Sequence, residues 1–345
     1  MIQVAMSIYR LVTIVSSLLL FASFHLCVVL CEVHYIIPTD GESCSIEVCL
    51  ILSQFAENSA HNIDSNIALF IIGGNHNFDR EILFSNKEQI SILSLNDSIE
   101  GSIVTCSPHN ARFSLVDSSH AHIQGIEFVG CDSNITRVDQ ALIINAKFLN
   151  SSQSSLIIHD SRVNMKSTSF SSNTNGIYRN EQSFRYLPLI SGTINYSPKS
   201  FRVGGALIVT NSTLVCDFCQ FNGNTANVGG ALFSERGSNV TLRNSSFTSN
   251  HARNCYYSLC LGGVMYAVAT SDIKIQNCSF QNNTSDQYGG VIVISESTHV
   301  SYNVYNLSSR GDVSLSIHTC NYFNNRAQIG GAIYLYNSSA IIKYF

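Results

Sequence analysis

Cys219-Gln-Phe-Asn-Gly-Asn-Thr-Ala-Asn-Val-Gly-Gly-Ala-Leu-Phe233 is the stretch from which the fold is read. It sets an aromatic, Phe221, three residues before Asn224, and closes on Gly229 and Gly230 ahead of a short apolar run. The same order returns with Phe280, Asn283, Gly289 and Gly290, and again with Tyr322, Asn325, Gly330 and Gly331. Longer copies join Phe247 and Asn250 to Gly262 and Gly263, and Phe170 and Asn173 to Gly204 and Gly205. A unit this short cannot bury a core by itself, so copies must stack on one another.

Each part of the unit has a physical task. Gly-Gly supplies one or two backbone positions with positive φ at a corner, where a Cβ would clash. The apolar strand that follows, such as Ala206 to Val209 or Ala332 to Leu335, is short enough to be one side of a coil. The Asn is expected in left-handed geometry, with its amide stacked on the Asn of the next coil. The aromatic is expected inside, stacked on its counterparts above and below. Coils in register then pair strand on strand at ~4.8 Å per coil, and parallel strands joined in this way follow a right-handed path. The fold class is therefore all-β: a right-handed parallel β-helix, preceded by a short helical and strand cap.

The spacing supports this reading. Gly205 to Phe221, Gly230 to Phe247 and Gly263 to Phe280 span 16, 17 and 17 residues, whereas Gly290 to Tyr322 spans 32. Extra chain enters at corners and leaves the strands intact. Upstream, Phe128, Phe148 and Phe170 lie 20 and 22 residues apart, one coil each.

The alternation of Gly-Gly-Ala-Ile with Phe-x-x-Asn resembles the repeats of the chlamydial polymorphic outer-membrane proteins. It is also similar to secreted animal proteins described only as right-handed β-helix. The resemblance covers roughly residues 120–345. In the bacterial family it implies a surface adhesin passed through a C-terminal membrane barrel. No barrel sequence is found here, so that part of the implication does not carry over.

Composition narrows the partners. The chain has 345 residues, 12% charged residues, a net charge of −4, no Trp and 4 Pro. Without a basic patch, nucleic acid is an unsuitable partner. Residues 1–31 read as a signal peptide cut near Cys31–Glu32, with an uncleaved signal anchor as the alternative. Twelve Asn-x-Ser/Thr sequons follow, at Asn96, Asn134, Asn150, Asn195, Asn211, Asn239, Asn244, Asn277, Asn282, Asn283, Asn306 and Asn337. Of the overlapping pair, Asn282 is the candidate for glycosylation. Ten cysteines remain beyond residue 31, an even number that suits an oxidising compartment. The expected location is therefore extracellular or cell-surface.

Residues 32–80 read as an N-terminal cap and 81–345 as the β-helix. Within the cap, Cys44 and Cys49 are a candidate pair and Leu50 to Ser59 has helical periodicity. Cys106 and Cys131 lie about one coil apart and suit a bridge between neighbouring coils. Cys255 and Cys260 suit a small closed loop. Cys219, Cys278 and Cys320 each stand two residues before the repeat aromatic. Equivalent positions on adjacent coils fall inside the Cα range of a disulfide. The readings are a Cys278–Cys320 bond, with Cys216 left to Cys219, or a ladder of buried free thiols. Cys216-x-x-Cys219 has no second ligand pair nearby, so no metal or cofactor is assigned. Residues 174–203, with Tyr178, Arg179, Phe184, Arg185 and Tyr186, form the largest insertion, either a tolerated surface loop or a recognition loop. The next aromatic is due about 16 or 17 residues after Gly331, past Phe345, so the chain is read as a fragment.

Catalysis on a β-helix needs clustered carboxylates with a nearby base. The nearest candidates, Asp160 with Arg162 and Asp272 with Lys274, read as solvated outer-face pairs, and His120 with His122 lacks a third ligand. No catalytic, cofactor or metal site is assigned. The expectation is a structural or adhesive protein that binds a glycan or protein. The alternatives are a carbohydrate-active β-helix enzyme and a receptor ectodomain whose membrane tether lies outside this chain.

Overall fold

The computed structural model describes residues 33–37, 66–71, 74–78, 81–94, 102–106, 112–152, 154–174, 202–254, 260–268, 272–295, 314–336 and 339–343. The signal segment, the Leu50 to Ser59 periodicity, Cys44, Cys49, Cys255 and most of the 174–203 insertion lie outside these residues.

The described strands form the coils of a parallel β-helix. Each complete coil has three sides. A first strand follows the glycines: Leu156–His159, Leu207–Thr210, Leu232–Glu235, Met265–Val268, Ile292–Ser295 and Ile333–Tyr336. A second strand follows the next corner: Arg162–Lys166, Thr213–Asp217, Asn239–Arg243, Asp272–Gln276, Ser314–His318 and Ser339–Lys343. A third, three residues long, carries the aromatic: Lys147–Leu149, Ser169–Ser171, Gln220–Asn222, Ser246–Thr248, Ser279–Gln281 and Asn321–Phe323. Every strand pairs in parallel with its counterpart in the next coil. The register sets Phe128, Phe148, Phe170, Phe221, Phe247, Phe280 and Tyr322 directly on one another.

Upstream, Arg112–Gln124 and Asp132–Ile144 are 13-residue strands that run through the first corner. Stacking also begins earlier than the sequence boundary at residue 80. Asn66–Ile71 pairs residue for residue with Gln89–Ser94, and Gly74–Phe78 with Ser102–Cys106. These strands are rungs of the same sheets. A Gly73-Gly74 pair stands between them, but it follows the first strand instead of preceding it, so the order of the repeat is not displayed there.

The glycines divide their work. The first of each pair has φ between +57° and +66° at Gly204, Gly229, Gly262, Gly289 and Gly330. The second has no positive φ. A Cβ there would overlap the carbonyl oxygen of the next coil's second glycine, from Gly205 through Gly290. One glycine serves the turn and the other serves the close approach of stacked backbones.

The repeat Asn does not itself take the left-handed geometry open to it. The residue before it does: Ser172, Gly223, Ser249, Asn282 and Asn324 have φ between +52° and +65°. That turn aims the Asn side chain inward. There it builds a ladder in which the amides of Asn224, Asn250 and Asn283 are fully used. Asn250 Oδ1 accepts from the backbone N–H and Nδ2 of Asn224 at 3.1 and 2.9 Å. Asn250 Nδ2 donates to Asn283 Oδ1 at 3.0 Å and to the carbonyl of Phe221 at 3.0 Å. The pattern runs from Asn173 to Asn325. Ser151 closes its upstream end by donating its backbone N–H to Asn173 Oδ1. Four partners satisfy all of an amide's hydrogen-bonding capacity, which allows an uncharged polar group to be buried.

Beside this ladder the aromatic rings stack with centroids 4.7 to 5.1 Å apart and interplanar angles of 5° to 13°. Each such pair contributes roughly 0.5–1.5 kcal/mol beyond area burial. Aliphatic columns complete the core, for example Leu156, Leu207, Leu232, Met265 and Ile292.

Two outcomes test this account by urea unfolding. Asn250→Ala strands Asn224, Asn283 and the Phe221 carbonyl and is expected to cost about 2–4 kcal/mol, while exposed Gln281→Ala stays within about 0.5 kcal/mol. Phe218 occupies a corner at φ +55° and is 53% exposed. The same corner of other coils holds Asn145, Asn244 and Asn277. Phe218→Asn is expected to stabilise by about 1 kcal/mol, because Asn tolerates this conformation better.

Candidate functional site

The second strands alternate inward apolar and outward polar residues, so their outer face is a ruled polar surface. Its central row runs Ser91, His122, Leu142, Asn164, Val215, Thr241, Lys274 and Ser316, each in register with the next. A parallel row runs Gln124, Ile144, Lys166, Asp217, Arg243, Gln276 and His318. A third holds Arg162, Thr213, Asn239, Asp272 and Ser314. Arg162, Asn164, Lys166, Asn239, Arg243 and Lys274 are exposed. Rows advance by ~4.8 Å per coil, so the surface offers hydrogen-bonding groups at regular intervals on a stiff backing.

The first strands differ. Leu207–Thr210, Leu232–Glu235, Met265–Val268 and Ile292–Ser295 are buried on both faces. Their outward residues Ile208, Phe233, Tyr266 and Val293 form a second apolar cluster with Val203, Val228 and Leu261, which precede the glycines. The turn at the first glycine folds this preceding residue back over the outside of the strand. The outward aromatics Phe233 and Tyr266 lie in register, with ring centroids 5.9 Å apart. Burial pushes the Tyr266 hydroxyl well above the usual tyrosine range. Sequence reading treated these positions as plain strand. Their signal was apolar residues on both faces, where the second strands alternate.

A corner ridge borders the polar face. Asp117, Arg137, Asp160, Asn211 and Arg236 all have positive φ and project outward. Asp117 takes two hydrogen bonds from the Arg137 guanidinium, one of 2.8 Å from Nη2 and the other from Nε. This pairing lowers the Asp117 carboxyl below its ordinary range and raises Arg137. Asn211 Nδ2 donates to Asp160 Oδ1 at 2.6 Å, and His159 Nε2 lies 3.1 Å from Asp160 Oδ2. Asp160 therefore belongs to the ridge, while Arg162 opens the second strand. Lys274 Nζ is 2.6 Å from Asp272 Oδ2 on one strand, with both side chains partly in solvent. His120 and His122 share a face, opposite Gln89 and Ser91 of the preceding strand. Among the described residues no three His, Cys, Asp or Glu are grouped to hold a metal.

Cys106 and Cys131 are joined across neighbouring coils, with Cα atoms 5.0 Å apart. Cys260 is also disulfide-bonded. Cys216, Cys219, Cys278 and Cys320 are buried free thiols in this structure, so neither a Cys278–Cys320 nor a Cys216–Cys219 bond is present. The column two residues before the aromatic shows how these thiols are held. Thr168 and Ser245 there donate to the carbonyl two residues back, at 3.2 and 2.6 Å. Cys278 and Cys320 make the same contact at 3.3 and 3.1 Å.

The sequon asparagines separate by position. Asn150, Asn211, Asn244 and Asn277 are exposed at positive-φ corners, and Asn239 is exposed on the polar face. Asn282 sits half-buried at a corner, and Asn134 half-buried in a strand. Asn283 is enclosed in the amide ladder. Asn96, Asn195, Asn306 and Asn337 lie outside the described residues.

Residues 277–295 match the Chlamydia polymorphic membrane protein repeat. They span one corner, the aromatic Phe280, Asn283, the Gly289-Gly290 turn and the following first strand. No curated protein matches the chain. Among solved structures it is similar to the Agl-KA catalytic domain, at 9% identity over 81% of this chain and 63% of that one, TM-score 0.25. It is also similar to the Dettilon tailspike protein, at 10% identity over 81% of this chain and 64% of that one, TM-score 0.19. The chain thus spans less than two thirds of the length of either. The molecule is a parallel β-helix protein. One of its coils, at residues 277–295, matches a repeat of the polymorphic-membrane-protein type. Among the described residues no helix is long and apolar enough to cross a membrane.

The polar face carries a pH dependence. Burial holds His122 below the usual histidine range, against an opposing hydrogen bond with Gln124. A lowered folded-state pKa means the unfolded chain binds the proton more readily. Stability is then complete above the unfolded value near 6.5 and declines as pH falls through the folded value. Urea midpoints are expected to drop between pH 7 and pH 5, and His122→Gln is expected to flatten that drop.

Proposed function

We propose that this chain is a non-catalytic, glycosylated platform at the cell surface or outside the cell, which binds an extended glycan or a protein segment along its polar face. The observation that carries the reading is the register of outward side chains across the second strands, polar in most positions and interrupted by Leu142, Ile144 and Val215. Backbone pairing fixes the spacing of the Cα atoms that carry these groups, so a ligand meets donors and acceptors at regular intervals. The repeat type at residues 277–295 supports a surface role. The Cys106–Cys131 bond supports an oxidising compartment. The sequons Asn211, Asn244 and Asn277 lie at corners of the coil, where glycans leave the central row open, while Asn239 lies in the third row of the face itself.

The test is a binding screen of the purified chain against immobilised glycans and extracellular proteins, repeated with a Lys166→Ala, Arg243→Ala, Lys274→Ala triple variant. These side chains are exposed and leave the core untouched, so thermal unfolding is expected to be nearly unchanged. Affinity for the ligand found is expected to fall about tenfold or more. Equal binding by both proteins would remove the polar face as the site.

A further inference from the structure

Four free thiols lie buried at one side of the core, and the binding role proposed above uses none of them. Three belong to the column two residues before the aromatic: Thr168, Cys219, Ser245, Cys278 and Cys320. Backbone hydrogen bonds tie this column from coil to coil, Gln220 to Thr168, Ser246 to Cys219, Ser279 to Ser245 and Asn321 to Cys278. Cys219 and Cys278 are separated by the Ser245 coil. Cys278 and Cys320 are the pair of cysteines in this column on adjacent coils. Both thiols bond to the carbonyl two residues back, so they share an orientation. Their positions are one coil apart, ~4.8 Å, inside the Cα range for a disulfide. The same chain bridges adjacent coils at Cys106–Cys131.

The two thiols are unequal. A hydrogen bond with Cys278 is the largest influence on Cys320 and holds it at about 7, below the ordinary cysteine range. The same contact, with burial, pushes Cys278 up. The thiol with the lowered value is the natural attacking group.

We propose that Cys278 and Cys320 are a redox pair that closes into an inter-coil disulfide by exchange with a small disulfide of the glutathione class. The Cys320 thiolate attacks one sulfur of the oxidised small molecule, breaks its S–S bond and releases one thiolate. Cys278 then gives up its proton and attacks Cys320 sulfur in the mixed disulfide, releasing the second thiolate. The protein thiols lose two electrons and two protons, and the small disulfide becomes two thiols. The bond joins the coil before the longest Gly-to-aromatic connection, Gly290 to Tyr322, to the coil after it. It would anchor both ends of that connection.

The test uses the full chain in buffers of graded oxidised-to-reduced glutathione ratio. Remaining thiols are alkylated, and the protein is digested without reduction for mass spectrometry. A peptide pair joined through Cys278 and Cys320 is expected, its fraction rising with the oxidised share and the thermal midpoint rising with it. In Cys278→Ser, Cys320 is expected to stop at the glutathione adduct, because no second thiol resolves it. In Cys320→Ser, no adduct forms at Cys278, and the midpoint loses the part of its response that follows the Cys278–Cys320 cross-link. Serine occupies this column natively at Ser245, so both variants keep the fold. Recovery of both cysteines in alkylated form at every ratio overturns the proposal. So does a cross-link confined to Cys216 and Cys219.

Discussion

Backbone hydrogen bonds between stacked coils fix a rise of ~4.8 Å, and every other feature of the molecule has to repeat at that distance. A side chain is tolerated inside only if its copy one coil away also fits. Flat rings do, with centroids 4.7 to 5.1 Å apart. A carboxamide does as well, because it donates in one direction along the axis and accepts from the other. A buried carboxylate or ammonium repeated at this spacing would meet its own charge. The amide ladder from Asn173 to Asn325 is therefore the polar solution that a repeating interior permits.

The same spacing accounts for the corners. Four copies of the second glycine, Gly205, Gly230, Gly263 and Gly290, cannot be alanine while the next coil sits directly below, and Gly331, with no further coil described beneath it, is the copy a Cβ would not disturb. Left-handed residues gather in columns too. Asn145, Ser167, Phe218, Asn244, Asn277 and Thr319 share one corner although their side chains have little in common. The backbone turn is what repeats there, and Phe218 shows that the coil imposes it even on a poorly suited residue.

Division of the outer surface follows from where extra chain enters. Residues before the glycines fold back over the first strands and create a second apolar cluster around Tyr266. The second strands receive no such cover across most of their length, so their alternation leaves a largely polar face with Leu142, Ile144 and Val215 set into it. A binding surface of this kind arises from regular pairing and needs no dedicated pocket. The thiol column is a separate consequence of the same geometry: two cysteines far apart in sequence become neighbours because each stands two residues before an aromatic.

Much of this was legible in the residues alone. Two alternating motifs announced a stacked parallel β-helix, the inward aromatics and the amide stacking, and one-coil spacing announced the Cys106–Cys131 bridge. These properties depend on local pattern and on a fixed repeat, which a sequence displays directly. Other features needed the tertiary structure. The left-handed turn fell on the residue before each Asn, because the Asn side chain must point inward to reach its ladder. The second glycine proved necessary for contact with the next coil, a neighbour 25 to 41 residues away, from Gly205 to Gly230 and from Gly290 to Gly331. Asn66–Ile71 joined the stack without any motif, since pairing with Gln89–Ser94 demands only compatible strands. Which sequons are open, which thiols adjoin and which strand face is covered are all decided by what the next coil brings alongside, and no single coil contains that information.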